Sequence, residues 1–190
     1  MLEIGQDYII KEARKYMNFE ETPNNSGFKN KKFESMMRKM GWKKYQSWCA
    51  YFTELIWRRA YANANIKVDD ELKRLFSASA VQTYKNFKSA DYQISMKPWY
   101  GALVVWQKHK DGKPDWRGHI GIVTKFNGDL FNSIEGNTND GGSRNGYKVH
   151  EHVHQISLES ERNYGLRLIG FVHPKFVTYD NIKKTIGYEK

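Results

Sequence analysis

The sequence has few cysteines, few prolines and no long apolar segment. One cysteine and four prolines occur in 190 residues. A lone cysteine forms no intramolecular disulfide, so the fold must rest on its hydrophobic core. The longest apolar runs contain four or five residues, whereas a membrane-spanning helix needs about 18. The composition therefore argues against a disulfide-stapled scaffold and against membrane-spanning helices.

The sequence also lacks the layout of a secretory signal peptide. Residues 1–16 alternate charged with apolar side chains and do not place a basic segment before an apolar one. We therefore expect synthesis in the cytoplasm, with any export by another route.

Negative charge is the scarcer sign. The 31 Lys and Arg residues outnumber the 21 Asp and Glu residues, and the net charge is +10. This balance predicts attraction to polyanions, which include nucleic acids, acidic membrane surfaces and the phosphate-rich polymers of a bacterial envelope. Charge alone does not choose among these partners.

The first half of the sequence shows the apolar spacing of helices. Ile4, Tyr8 and Ile9 share one helical face, and Gly41 is placed to end a second helix. The spacing predicts four helices, the last of them continuous, near residues 4–16, 33–40, 48–61 and 69–87.

After Pro98 the sequence consists of short β-branched and aromatic runs separated by turn residues. Asn127-Gly128 is a strong hairpin signal. Helices followed by an antiparallel meander indicate an α+β fold, with N-terminal helices packed on a C-terminal antiparallel β-sheet. No linker or repeat divides residues 1–190, so we expect a single domain.

Cys49 lies where the third predicted helix begins. The unpaired backbone N–H groups and the dipole of a helix N-terminus favour a thiolate at this position. The alternative is that Cys49 is a small buried apolar residue, as most lone cysteines are. The residues in the predicted strands bear on this choice.

A histidine and two polar residues lie on two adjacent predicted strands. His119 is the second residue of the run GHIGIV, whose glycines permit a close approach by another group. In SIEGNTN, strict alternation places Glu135 and Asn137 on one face. Either side chain could orient His119 as the third member of a catalytic triad. The alternatives are a core or surface histidine and a polar edge facing a turn.

Six segments follow one another in a specific order: ETPNNSG, SWCAYF, GALVVW, GHIGIV, SIEGNTN and LIGFVHP. Together they resemble the CHAP family of bacterial and phage peptidoglycan hydrolases, which are papain-like cysteine enzymes. The resemblance extends over about residues 21–174, the core of the expected domain.

The resemblance implies a catalytic function. Cys49 would be the nucleophile, His119 the general base, and Glu135 and Asn137 the positions that orient the histidine. The implied reaction is cleavage of peptidoglycan amide bonds, either as an N-acetylmuramoyl-L-alanine amidase or as an endopeptidase. Of the two polar residues, we expect Glu135 to bind His119, because a carboxylate stabilises an imidazolium better than an amide does.

Two further residues are candidates for the site. Gln46, three residues before the cysteine, is an oxyanion-hole candidate, and Trp48 is a candidate substrate contact. No cofactor or metal is expected. The segment GWKKYQSW has two lysines and no acidic residue, which argues against the calcium loop of some CHAP enzymes.

Two other segments resemble metal sites. His150, His152 and His154 alternate along a predicted strand and share one face. We expect a solvated sheet face rather than a metal site. Asn139–Gly142 lacks the spaced carboxylates of a calcium loop.

A rival interpretation is a basic nucleic-acid-binding or virion structural protein with an inactive hydrolase fold. Its support is the charge and the segment KNKK, without a recognised nucleic-acid motif. The hydrolase interpretation predicts peptidoglycan as the partner and no specific nucleic acid. It also predicts action in the cell wall or periplasm after holin release, virion carriage or delivery by a secretion system. An immunity protein is a further candidate partner.

Overall fold

The computed structural model describes residues 4–140, 146–157 and 165–175. Within these ranges, five α-helices precede the strands of a six-stranded sheet. The helices are α1 (Ile4–Arg14), α2 (Lys31–Lys39), α3 (Cys49–Asn63), α4 (Asp69–Leu75) and α5 (Ala80–Ser89). The strands are β1 (Glu21–Thr22), β2 (Gly27–Phe28), β3 (Ile94–Ser95), β4 (Leu103–Lys110), β5 (Lys113–Asn127), β6 (Leu130–Thr138), β7 (Lys148–Gln155) and β8 (Leu166–Val172).

The predicted α+β architecture is confirmed. The large sheet has the order β3-β8-β4-β5-β6-β7, and each neighbouring pair is antiparallel. The predicted hairpin joins β5 to β6 at Gly128, which has a φ of 59°. Asn127 pairs directly with Leu130, so the loop is as short as the sequence indicated. The two longest strands therefore lie side by side in the sheet.

The continuous helix predicted over residues 69–87 is wrong, because the segment forms two helices. Phe76 is extended at the end of α4, with a ψ of 149°. Ser79 then caps α5 by accepting a hydrogen bond from the backbone N–H of Gln82. Hydroxyl-backbone capping competes with helix continuation at such residues. The break turns the N-terminus of α5 towards the same cleft as Cys49.

Helix α3 is the buried centre of the helical layer. Phe52, Leu55, Ile56 and Trp57 are each at most 2% exposed. They belong to a core that includes Leu103, together with other residues that alternate along the central strands. Because α3 is enclosed by the sheet and by other helices, its first residue is held rigidly against the strands.

The opposite face of the sheet holds a second, smaller apolar cluster. Val104 and Trp106 of β4 alternate with the residues that face α3, and they pack with Phe131 and Phe171. The central strands are thus buried on both faces. Among the helices that the structure describes, none is long and apolar enough to cross a membrane.

Candidate active site

Cys49 is the first residue of α3 and is 6% exposed. Trp48 precedes the helix with φ −126° and ψ 10°, and its carbonyl accepts the first helical hydrogen bond from Phe52 at 2.9 Å. The N–H groups of the first helical turn have no intrahelical acceptor. The cysteine sulfur therefore lies at the positive end of a buried helix, where negative charge is favoured.

His119 lies on β5, where it is hydrogen-bonded to Glu135 and interacts electrostatically with Cys49. Its Nε2 lies 2.8 Å from Oε2 of Glu135, and both side chains are fully buried. A carboxylate oxygen accepts, so Nε2 carries the proton. Nδ1 is buried and makes no hydrogen bond within the described part of the chain, and it is the ring atom left to exchange a proton with the neighbouring thiol. The order Cys49–His119–Glu135 is that of a catalytic triad.

Two glycines make this arrangement sterically possible. Gly121 pairs with Glu135 across the strands, and a Cβ at Gly121 would lie 2.7 Å from Cγ of Glu135. A Cβ at Gly118 would overlap the carbonyl oxygen of Trp106. The glycines in GHIGIV therefore leave room for the Glu135 side chain and for the backbone of β4.

The surroundings of His119 change its protonation. Burial by itself lowers the pKa of the imidazole, but the interactions with Cys49 and Glu135 outweigh it and raise the pKa to about 9. An opposite charge within hydrogen-bonding distance favours the charged form. His119 is thus held as an imidazolium at neutral pH, which suits an ion pair with a thiolate.

Cys49 opens into a cleft of about 250 Å³. One side is formed by residues around the start of α3, and the other by the start of α5 and a segment of β5. Trp116 is the most exposed of the lining aromatic residues, at 75%. The lining residues are Gln46, Ser47, Cys49, Tyr51, Ala78, Ser79, Ala80, Trp116, Arg117 and Gly118.

Residues 40–137 match the family model described as CHAP domain, which is more than half of the chain. The matched span contains Cys49, His119 and Glu135. This chain belongs to the CHAP domain family. No curated protein matches it significantly.

Two solved structures resemble the CHAP domain described here. One is titled "The crystal structure of Ly7917", with 14% identity and a TM-score of 0.49. The other is titled "The crystal structure of Ly7917 with the hydrolyzing product of MDP", with 14% identity and a TM-score of 0.47. Each match covers 89% of this chain and 62% of the solved chain. The present chain thus spans less than two thirds of either.

Asn137 lies at an irregularity of the CHAP domain sheet. The β6–β7 register shifts between Glu135 and Thr138, and Asn137 has a φ of 58°, in the left-handed region that asparagine tolerates. Its carbonyl accepts the backbone N–H of Gly146 at 2.9 Å. The strict alternation assumed for this strand therefore ends at the bulge. Glu135 is the residue at hydrogen-bonding distance from His119.

The prediction that Trp48 contacts substrate is wrong. Its side chain is fully buried and packs against Phe28, with ring centroids 5.1 Å apart. Its indole N–H donates to Oε2 of Glu21 at 2.5 Å. A β1 carboxylate that accepts the indole proton holds the ring inside the core. Trp116 is the exposed tryptophan at the cleft, and sequence patterns do not distinguish the two because both follow polar residues.

Gln46 lies at the rim of the cleft and is held by its acceptor atom. Oε1 accepts the backbone N–H of Lys43 at 3.2 Å and the Tyr51 hydroxyl at 3.3 Å. These contacts leave the Nε2 donor for a group in the cleft. The arrangement is compatible with the predicted oxyanion role, which stays a prediction.

The three alternating histidines do share one face of β7, since neighbouring ring centroids lie 4.9 and 6.1 Å apart. The expectation of a solvated face is wrong for His154, which is 5% exposed and lies 2.9 Å from Oε1 of Glu135. Among the described residues, no group of three or more His, Cys, Asp or Glu side chains is arranged to hold a metal ion. Asn139–Gly142 lies partly outside the described residues.

Proposed function

We propose that this CHAP domain hydrolyses amide bonds of bacterial peptidoglycan, with Cys49 as the nucleophile. The observation that carries the proposal is the buried contact of His119 with both Cys49 and Glu135 beside an open cleft. If His119 had only a structural role, neither a cysteine at a helix N-terminus nor an open cleft beside it would be required. The family resemblance directs the chemistry towards peptidoglycan.

The reaction begins from the ion pair in which the thiol proton of Cys49 already resides on Nδ1 of His119. The thiolate attacks the amide carbonyl carbon and forms a tetrahedral oxyanion. We assign stabilisation of that oxygen to the backbone N–H of Cys49 and the side-chain amide of Gln46. Collapse breaks the C–N bond, and the His119 imidazolium protonates the departing amine. A thioester on Cys49 remains.

Water completes the cycle. His119, now neutral, accepts a proton from a water molecule that attacks the thioester carbonyl. The second tetrahedral intermediate collapses, the carboxylic acid product leaves, and Cys49 departs as the thiolate, which restores the ion pair with the His119 imidazolium. Glu135 keeps the same ring nitrogen protonated throughout, so that the other nitrogen exchanges protons with cysteine, amine and water.

The cleft and the charge fit a wall polymer. Trp116 offers an exposed aromatic surface beside Cys49, and such surfaces bind sugar rings and peptide side chains. The net charge of +10 favours adhesion to an anionic envelope. The route to the wall (holin release, virion carriage or a secretion system) belongs to the proposal and is not required by the chemistry.

The test compares the wild-type chain with Cys49→Ala and Cys49→Ser on purified cell walls. Loss of the sulfur removes the covalent route, so both variants should lose lysis while their circular dichroism spectra and thermal transitions stay close to wild type. Lysis by Cys49→Ala would contradict the mechanism.

Mass spectrometry of the digested wall identifies the bond that is cut. New muramic-acid carboxyl termini without attached peptide indicate an amidase, and new peptide N-termini indicate an endopeptidase. Failure of the wild type to release any fragment from several wall chemotypes would contradict the proposed substrate.

A further inference from the structure

The carboxylate of Glu135 has partners on both of its oxygens. Oε2 lies 2.8 Å from Nε2 of His119. Oε1 accepts the hydroxyl of Ser133 at 2.7 Å and lies 2.9 Å from Nε2 of His154. The same nitrogen of His154 lies 2.9 Å from the Ser133 oxygen. The triad therefore continues beyond Glu135 to a second histidine.

His154 is held in this place by three strands. It lies on β7 opposite Phe131 of β6, and the two rings stack with centroids 4.8 Å apart. Its ring centroid also lies 5.2 Å from that of Trp106 on β4, which in turn lies 5.8 Å from His119. One indole therefore contacts both histidines that flank Glu135. Packing on two aromatic rings leaves His154 little rotational freedom.

The hydrogen bonds define the chemical state of His154. An ionised carboxylate only accepts, so Nε2 of His154 must carry the proton that faces Oε1. A fully buried carboxylate is costly as an anion unless its oxygens receive hydrogen bonds. His119 supplies one of them to Oε2. Ser133 and His154 supply the others to the oxygen that His119 does not reach.

We infer that His154 is a positioning residue for the Cys49 reaction, because its hydrogen bond to Oε1 keeps Glu135 ionised and turns Oε2 towards His119. The effect on activity rests on the proposed function. The effect on His119 does not, since that ring can be followed without a substrate.

The titratable groups around His154 in the described part of the chain are few. His119 approaches from β5 through Glu135 of β6, and Cys49 of α3 lies beyond His119. On β7 itself, the His152 ring centroid is 6.1 Å from that of His154, and Nε2 of His152 lies 3.0 Å from the Thr138 hydroxyl. Strand β4 contributes the uncharged Trp106.

The experiment uses two substitutions in the full chain. His154→Leu replaces the imidazole with an apolar side chain of similar size and so removes the Nε2–H donor. His154→Gln keeps an amide donor near the position of Nε2. His150→Gln, on the same strand face but 30% exposed, is the matched control. For each variant, the His119 titration is followed by NMR, the alkylation of Cys49 by iodoacetamide is timed across pH, and wall lysis is measured.

His154→Leu should lower kcat for lysis by roughly 10- to 100-fold with little change in KM, which is the range for one lost hydrogen bond to a charged group. The His119 midpoint should fall below that of wild type, because a less stable carboxylate holds the imidazolium less tightly. Alkylation of Cys49 at neutral pH should slow in parallel. His154→Gln should restore all three readouts to within a few-fold of wild type, and His150→Gln should leave them unchanged.

A His154→Leu variant with wild-type His119 titration and wild-type alkylation would overturn the inference and leave His154 as a packing residue. If His154→Leu does not fold, His154→Asn is the substitute test. Its side chain is too short for the amide to reach Oε1 of Glu135, so this variant should show the losses expected of His154→Leu. Equal behaviour of Asn and Gln would contradict the inference. A wild type that alkylates and titrates as expected but does not lyse walls would refute the proposed function and leave the inference standing.

Discussion

The centre of the proposed active site and its rim are built differently. His119, Glu135 and His154 lie on three adjacent strands and are at most 5% exposed. The rim residues Gln46 and Trp116 are exposed, and Gln46 lies in the segment before α3. The groups that must keep a fixed geometry are enclosed between packed layers, while the groups that meet a large substrate are left accessible.

This difference predicts that changes at the centre act on the chemical step and that a change at Trp116 on the rim acts on binding. Substitutions can be ranked accordingly. The largest losses of activity are expected when a group that contacts His119 is changed. The smallest are expected from treatments that remove nothing the proposed reaction uses.

Glu135→Gln should give the largest loss after Cys49 itself, at least about 100-fold in kcat. The amide cannot stabilise the imidazolium, so the pKa of His119 should fall from about 9, and the alkaline limb of the activity profile should move to lower pH. NMR titration of His119 and pH-rate profiles measure both effects.

Two variants serve as comparisons for Glu135→Gln. Asn137→Ala should lose much less activity, and Glu151→Gln removes a carboxylate that binds Thr124, so it should leave the His119 titration unchanged. If Asn137→Ala is the more damaging and Glu135→Gln leaves the titration in place, the roles of the two residues are reversed.

Gly121→Ala should impair the centre without touching a reacting group. Its Cβ would lie 2.7 Å from Cγ of Glu135, so the carboxylate must move away from His119. We expect a loss of roughly tenfold or more in kcat with a modest loss of thermal stability, since overpacking costs about 1–3 kcal/mol.

The double variant tests the route of that effect. If Gly121→Ala acts through Glu135, combining it with Glu135→Gln should cost no more kcat than Glu135→Gln alone. Additive losses would mean that Gly121 acts on another part of the site.

Trp116→Ala should change binding and leave the chemistry nearly intact. Loss of one aromatic contact of about 1 kcal/mol predicts a rise of roughly fivefold in KM with little change in kcat. Trp99→Ala is the matched control, because Trp99 is 42% exposed but does not line the cleft. A fall in kcat without a change in KM would place Trp116 in the chemistry.

Chelation should have the smallest effect. The proposed reaction uses a thiol, an imidazole and a carboxylate, so EDTA should leave the lysis rate within about twofold of the untreated rate, while a thiol alkylator stops it. Strong inhibition by EDTA that calcium or zinc reverses would instead assign a metal to the Asn139–Gly142 segment or to the His150 face.

Local patterns were sufficient for the layout of the site. Turn residues and apolar spacing predicted helices α1–α3, strands β4–β8 and the β5–β6 hairpin, and that hairpin makes the strands of His119 and Glu135 neighbours. Whether Glu135 or Asn137 faces His119 could not be read from alternation, because a bulge interrupts β6 and such irregularities depend on the partner strand.

The sequence by itself determined the order of the elements and the position of Cys49 at the start of a helix, because periodicity and turn residues act over a few neighbours. Only the tertiary structure decided which side chains are covered. Trp48 is buried because Glu21, 27 positions away, accepts its indole proton. His154 reaches Glu135 because β7 pairs with β6 in one particular register. Burial depends on contacts between residues that are distant along the chain, and a local pattern identifies a face without identifying what covers it.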